Sequence, residues 1–239
     1  MQVTVLTPDA AEWCRVLAGA PHDFYHLPEY VELCSRATDP GEPRALVIAD
    51  GERALLQPLV LRAIPGEARW RDATSPYGYP GPLLVGADAA SPFVAEGASA
   101  LREELGRLGV LTLFVRLHPL LNDGWGGLAA AGTVVEHGET VVVDLSLTEE
   151  ELWRQTQSGH RNEINRARRA GHVVRIDEAW QRYDGFKQLY RETMKRVDAS
   201  TYYFFDDAYF DGLRRALGAK LHLAVVEIGG ELAAAGLFT

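Results

Sequence analysis

The stretch from residue 44 to residue 73 constrains the fold most, because its apolar pattern takes on the period of two that is typical of β-strands. The first of its runs is joined to the second at Asp50-Gly51, a dipeptide that favours a tight hairpin turn. Pro58, inside the second run, predicts a sheet edge or a bulge, since proline donates no ladder hydrogen bond. The pattern therefore predicts three strands, over Arg44–Ala49, Arg53–Ile64 and Ala68–Ala73.

The rest of the chain alternates between helical and strand patterns. Before residue 146, helical spacing predicts helices after Pro8-Asp9, over Glu29–Arg36 and over Ser91–Leu108. In the same part of the chain, strand patterns predict strands over Val3–Leu6 and Leu111–Leu117 and a hairpin within 132–145 that turns at His137-Gly138. After it, a capping box at Thr148 and Glu151 opens a helical stretch that ends at Gly171, with a candidate break at Ser158-Gly159. There follow a strand over His172–Ile176, helices over Tyr183–Arg196 and Asp206–Leu217, and a hairpin over Leu221–Phe238.

These elements predict an α+β chain of two domains, residues 1–145 and residues 146–239. The second domain ends within an apolar strand near Phe238, so we expect it to be incomplete as a sheet.

Composition excludes several classes of protein. Hydrophobic residues make up 47% of the 239 residues, enough for a buried core, and the net charge of −9 argues against a protein that coats nucleic acid along its whole surface. Cys14 and Cys34 are the only cysteines, which excludes a zinc site built on cysteine pairs. Neither a secretory signal nor a bilayer-spanning run is visible, so we expect a cytoplasmic protein.

Basic residues are concentrated between residues 154 and 175, where six arginines accompany a single acid, Glu163. On a helix, Arg161, Asn165 and Arg168 share one face, while Ile164, Ala167 and Gly171 turn towards a core. Arginine binds phosphate oxygens through paired hydrogen bonds, so this face is a candidate site for a diphosphate-linked substrate or an RNA backbone. The alternative is a solvated arginine face without a ligand.

The segment from Ser75 to Pro82 holds three prolines and two glycines and fits neither a helix nor a regular strand. Its two tyrosines, Tyr77 and Tyr79, are candidates for a stiff substrate-binding surface. The alternative is a purely structural crossing between sheet and helix.

The order of several motifs resembles one family. The run from Gly159 to Gly171, GHRNEINRARRAG, is similar to the basic helix of Fem-type peptidoglycan aminoacyltransferases and their GNAT acyltransferase relatives. The segments 186–196 and 221–238 are similar to the family's next helix and central hairpin. Upstream, 25–30 and 114–119 resemble its first domain.

This resemblance implies two tandem GNAT-like domains, the second incomplete here, with the acceptor in a cleft and with neither a metal nor a tightly bound cofactor. It also implies that Arg161 matches the arginine that contacts the acceptor's diphosphate. Two positions depart from the family pattern. His118 stands where members often carry an acid, and the family's proposed catalytic lysine lies beyond the matched part of the second domain.

The function that this resemblance implies is transfer of an aminoacyl or acyl group to an amine of a diphosphate-linked cell-wall precursor. Aminoacyl-tRNA or an acyl-CoA would be the co-substrate, and a transient contact with a membrane surface is a further expectation. The catalytic residues are unknown, with Asp206, Asp207 and His118 as candidate proton acceptors. Two alternatives remain: a CoA-dependent N-acetyltransferase acting on a polysaccharide precursor or small amine, and a non-catalytic binding protein.

Overall fold

The structure, a computed structural model, describes residues 1–239. Its α-helices are α1 (Ala11–Ala18), α2 (Pro28–Ala37), α3 (Pro92–Arg107), α4 (Glu149–Gln155), α5 (Ser158–Arg169), α6 (Tyr183–Arg196) and α7 (Asp207–Leu217). Its strands are β1 (Gln2–Leu6), β2 (Glu42–Asp50), β3 (Arg53–Ile64), β4 (Glu67–Thr74), β5 (Leu83–Val85), β6 (Val110–Phe114), β7 (Val174–Ile176), β8 (His222–Ile228) and β9 (Glu231–Phe238). The α+β class predicted from the sequence is confirmed.

The chain divides into two compact units, which are described separately. The first unit comprises Met1–His137 together with Ala208–Leu217, and the second comprises Gly138–Asp207 together with Gly218–Thr239. The assignment of residues 1–145 and 146–239 to two GNAT-like domains stays a prediction.

The first unit is built on a mixed sheet with the strand order β1-β2-β3-β4-β6, in which β5 also pairs with β3. All pairs are antiparallel except β4 with β6. The predicted hairpin is confirmed, since Asp50 pairs with Arg53 and Gly51 takes the positive φ of 62° that the turn requires.

Helices cover both faces of this sheet. Alternate residues of its central strands point to opposite sides, so each strand contributes to the core on both faces. On one face, Trp13 of α1 and Val31 of α2 pack with Val47 and Leu56. On the opposite face, α3 contributes Phe93, Leu101 and Leu105, which pack with Leu46, Ile48 and Leu59 of the sheet. The alternation along β2 and β3 thus builds two core layers from one pair of strands.

Pro58 lies in the middle of β3, so the prediction of an edge or a bulge at this residue is wrong. It pairs in register with Ala45 on β2 and is buried. On the other side of β3, β5 pairs only with residues 54–56 and β4 only with residues 60–64. The missing N–H of Pro58 therefore interrupts no ladder on that side.

The hairpin predicted within residues 132–145 is also absent. Residues 133–144 belong to neither a helix nor a strand, and Val141 is 94% exposed. The segment has the β-branched residues typical of a strand, but such residues stabilise a strand only where a partner strand and a covered face exist.

The second unit contains an antiparallel sheet with the order β7-β8-β9, which α6 contacts through β9. The predicted capping box is confirmed, because Thr148 and Glu151 exchange hydrogen bonds at the start of α4. The helical stretch breaks at residues 156–157, just before the expected break, and ends at Gly171 with a φ of 78°. The final hairpin is confirmed, with Gly229 and Gly230 at its turn. None of the helices combines the length and the apolar character needed to cross a bilayer.

Candidate functional site

The residues that the sequence marks as binding candidates lie in both units. Tyr77 and Tyr79 belong to residues 75–82 of the first unit, here called the crossing loop. Arg161, Asn165 and Arg168 lie on α5 of the second unit. The two sites are therefore described one after the other.

Four side chains from three stretches of the first unit hold the backbone carbonyls of the crossing loop. Each donates a hydrogen bond to a different carbonyl: Tyr30 Oη to Tyr77 at 3.0 Å, Gln57 Nε2 to Pro80 at 3.1 Å, His26 Nε2 to Gly81 at 3.0 Å and Asn122 Nδ2 to Pro82 at 2.8 Å. All four donors are buried. Because a buried polar group without a partner costs about 1–3 kcal/mol, these bonds hold the loop in a single conformation.

His26 shows how burial fixes a protonation state at this loop. Its Nε2 donates to the carbonyl of Gly81, and its Nδ1 accepts the backbone N–H of Asp23 at 3.2 Å. This pattern assigns the ring proton to Nε2. Burial lowers the pKa of His26 from 6.5 to about 4, so the ring is neutral at pH 7.

Tyr79 is the side chain that the crossing loop exposes, with 47% of its surface accessible. Its ring meets the ring of Tyr25 edge to face, with centroids 6.0 Å apart. Gly78 makes this arrangement possible, because a Cβ on it would lie 2.2 Å from Cε1 of Tyr25 and because its φ is 99°. Tyr77, in the same loop, is half-buried. The structure thus brings Tyr77 and Tyr79 together with Tyr25 and Tyr30.

Asp23, which is partly exposed, pairs with the buried His118 beside these tyrosines. His118 Nδ1 accepts the backbone N–H groups of Leu120 and Leu121, each at 3.1 Å, which leaves the ring proton on Nε2. That nitrogen donates to Asp23 Oδ2 at 3.2 Å. Neutral His118 therefore has no free ring nitrogen with which to accept a proton. In this geometry it positions Asp23.

Sequence reasoning missed most of the residues that support this loop. Asp23 belongs to no motif, and its partner His118 is 95 positions away along the chain. Gln57 did give a signal, since it is a polar residue within the apolar run of β3.

The arginines predicted on α5 meet the preceding helix. Arg161 Nη1 donates to the carbonyls of Trp153 and Arg154, both at 3.2 Å, at the end of α4. The guanidinium carbon of Arg168 lies 5.3 Å from the centre of the Trp153 ring. Asn165 lies between them on the helix and is half-buried. Trp153 and the end of α4 therefore orient the two arginines.

The prediction that α5 turns Ile164, Ala167 and Gly171 towards a core is wrong. No residue of α5 is buried, and Ile164 is 38% exposed. Helical spacing identifies which residues share a face, but another element must cover that face before it becomes a core.

Most of the clustered arginines lack a carboxylate partner. Arg154, Arg166 and Arg169 are exposed and form no ion pair. Arg175 is different, since its Nη2 lies 2.9 Å from Glu227, which also accepts from Arg182. Hydrogen bonds from these two arginines lower the pKa of Glu227. Arg175 thus links β7 to β8 and is not free to bind a ligand.

A buried lysine lies near one candidate proton acceptor in the second unit. Lys187 on α6 is 7% exposed, and its Nζ lies 3.0 Å from Asp184 and 3.8 Å from Asp207. Asp207 also accepts from Arg191 at 2.5 Å. The carboxylate of Asp207 is therefore held between two cationic side chains. In neither unit do three His, Cys, Asp or Glu side chains converge as metal ligands would.

Comparison with known proteins gives one informative likeness, and it is a likeness of fold. A crystal structure of FemX superposes with a TM-score of 0.65 over 95% of this chain, at 15% sequence identity. The chain spans 58% of the length of that FemX chain. No protein-family model and no curated protein sequence matches the chain. The likeness therefore supports a FemX-like fold.

Proposed function

We propose that this protein is an acyltransferase of the Fem type, which transfers an aminoacyl or acyl group to an amine of a peptidoglycan precursor. The observation that carries the proposal is the group of arginines on α5 without ion pairs, in a chain whose fold resembles that of FemX. The sequence motifs of the same helix resemble those of the Fem-type family, which adds independent support.

The chemistry of these arginines suits a diphosphate. Arg161 uses Nη1 for the carbonyls at the end of α4, so its Nε and Nη2 remain able to donate to phosphate oxygens. Because Trp153 orients Arg168, that guanidinium loses little further freedom on binding a ligand. Asn165, half-buried on the same helix, would add a neutral donor.

In the proposed reaction, the acceptor amine attacks the ester carbonyl of an aminoacyl-tRNA. A C–N bond forms, the C–O bond to the ribose breaks, and a proton leaves the amine for a base while the ribose hydroxyl receives one. The main contributions to rate would be positioning of the two substrates and stabilisation of the tetrahedral oxyanion. The co-substrate carries the reactive group, so the proposal requires no tightly bound cofactor. Because the proposed precursor is linked to a nucleotide diphosphate, the proposed reaction takes place in the cytoplasm.

Calorimetric titration with a nucleotide-diphosphate-linked muropeptide tests the proposal. We expect Arg161→Ala to weaken binding by about 1.5–3 kcal/mol, which is roughly 10- to 150-fold, because one charge-assisted interaction is lost. Arg36→Ala is the matched control, since Arg36 is exposed on α2 and pairs only with Glu32. Equal affinities for Arg161→Ala and the control would refute the proposed acceptor site.

The donor is tested separately. In the proposed reaction, aminoacyl-tRNA supports turnover with the muropeptide, and acetyl-CoA does not. A rise in thermal stability with acetyl-CoA, without binding of the muropeptide, would instead indicate a CoA-dependent N-acetyltransferase. Binding of the muropeptide without turnover with either donor would indicate a binding protein.

A further inference from the structure

We propose that Asp23, Tyr25 and Tyr79 of the first unit form a binding site for an organic ammonium group. Asp23 caps the 3-10 turn Phe24–His26, Tyr25 lies within that turn, and Tyr79 projects from the crossing loop. All three belong to the same compact unit.

The site carries a negative charge that no cation of the protein neutralises. The carboxylate of Asp23 accepts from the backbone N–H of Phe24 and from His118 Nε2, and the His118 ring is neutral in this arrangement. No arginine or lysine lies within ion-pair distance of Asp23, whose side chain is 35% exposed. A ligand can therefore reach a carboxylate that is hydrogen-bonded but not neutralised.

Aromatic rings beside this carboxylate add a second source of attraction for a cation. Tyr25 meets Tyr79 at 6.0 Å with an interplanar angle of 79°, and it meets Tyr30 at 5.7 Å with an angle of 69°. The negative face of such a ring attracts ammonium ions. Burial, followed by the charge of the nearby Asp23 carboxylate, raises the pKa of Tyr25 to about 12. The Asp23 carboxylate thus lies near the Tyr25 hydroxyl.

The site is preorganised, which favours binding of a small ligand. Four buried donors hold the crossing loop, and Gly78 lets the ring of Tyr25 pack directly against its backbone. His118 in turn holds the carboxylate of Asp23. Little conformational entropy then remains to be lost when a cation binds.

The chemistry of the site selects among ligands. A phosphate or carboxylate would be repelled by Asp23. A divalent metal would need more oxygen ligands than this single carboxylate supplies, and no such cluster is present. A primary ammonium on an alkyl chain has the charge for Asp23 and the size for the face of an exposed tyrosine. Binding of an ammonium group at this site does not depend on the proposed function. Only the further step, that this ammonium is the acceptor amine of the proposed reaction, rests on it.

Nuclear magnetic resonance of the full chain with ¹³C-labelled tyrosine rings tests the site. The probes are N-acetyl-lysine amide and its uncharged isostere N-acetyl-norleucine amide. We expect only the lysine probe to shift the resonances of Tyr25 and Tyr79. Asp23→Asn should weaken its binding about tenfold and Tyr79→Leu a few-fold, while Tyr79→Phe retains most of the affinity. Asp88→Asn, an exposed acid elsewhere in the unit, is the control.

Equal shifts with both probes, or unchanged affinity in both Asp23→Asn and Tyr79→Leu, would overturn the proposal. Tyr79 is exposed, so its replacement keeps the test valid even if Asp23→Asn disturbs the turn at residues 24–26. The assay needs neither a diphosphate nor an acyl donor. Arg161→Ala should leave lysine-probe binding unchanged, so failure of the proposed function and failure of this site give different results.

Discussion

His26 offers a stringent test of the packing around the crossing loop, through the pH dependence of stability. Its pKa falls from 6.5 to about 4 on folding, chiefly because of burial. The unfolded chain therefore binds a proton near pH 6.5 that the folded chain does not bind until about pH 4. This contribution to stability is fully present above pH 6.5 and is lost as the pH falls towards 4. At about 1.4 kcal/mol for each pH unit, the loss is roughly 3 kcal/mol.

The assay is urea unfolding at pH 7, 6, 5 and 4.5, with wild type compared with His26→Gln. Glutamine keeps an N–H donor near the position of Nε2, which bonds the carbonyl of Gly81, but it does not titrate. Acidic residues elsewhere titrate equally in both proteins, so their effect cancels in the difference. We expect the stability of wild type to fall more steeply than that of the variant, by up to about 1.4 kcal/mol per pH unit.

A direct titration by nuclear magnetic resonance of ¹³C-labelled histidine identifies the group responsible. The resonance that His26→Gln removes should titrate near pH 4. A midpoint near 6.5 for that resonance, together with parallel stability curves, would refute the reasoning, because it would mean that the ring is accessible to water.

Two further substitutions test how the crossing loop is held. Gly78→Ala should destabilise the protein by about 2–4 kcal/mol in urea unfolding, since a Cβ at a φ of 99° would collide with Tyr25. Gly51→Ala, with a φ of 62° and nothing within 4 Å, should cost only about 1 kcal/mol, and equal costs would contradict this account. Gln57→Leu should cost about 1–3 kcal/mol and speed amide exchange in residues 77–83, because the carbonyl of Pro80 loses its buried donor. The exposed Gln188→Leu is its control, and an unchanged exchange rate in Gln57→Leu would show that the bond does not hold the loop.

Features that depend on a few neighbouring residues could be predicted from the sequence. The turn at Gly51, the capping box of Thr148 and Glu151 and the end of α5 at Gly171 all follow from local backbone conformation and local hydrogen bonds. The strands of residues 42–74 follow from the alternation of apolar side chains. The stiffness of the crossing loop was also visible in its prolines and glycines.

Which side chains meet depends on how distant segments of the chain pack together. The crossing loop is held by donors from three separate segments, and the pair of Asp23 and His118 joins residues 95 positions apart. Pro58 is tolerated because the neighbouring strands stop on either side of it, while Ile164 stays exposed because no element covers α5. Propensity and periodicity describe a residue's own segment. Strand register and the packing of distant segments determine its partners, and so they determine where a charge lies buried, exposed or unpaired.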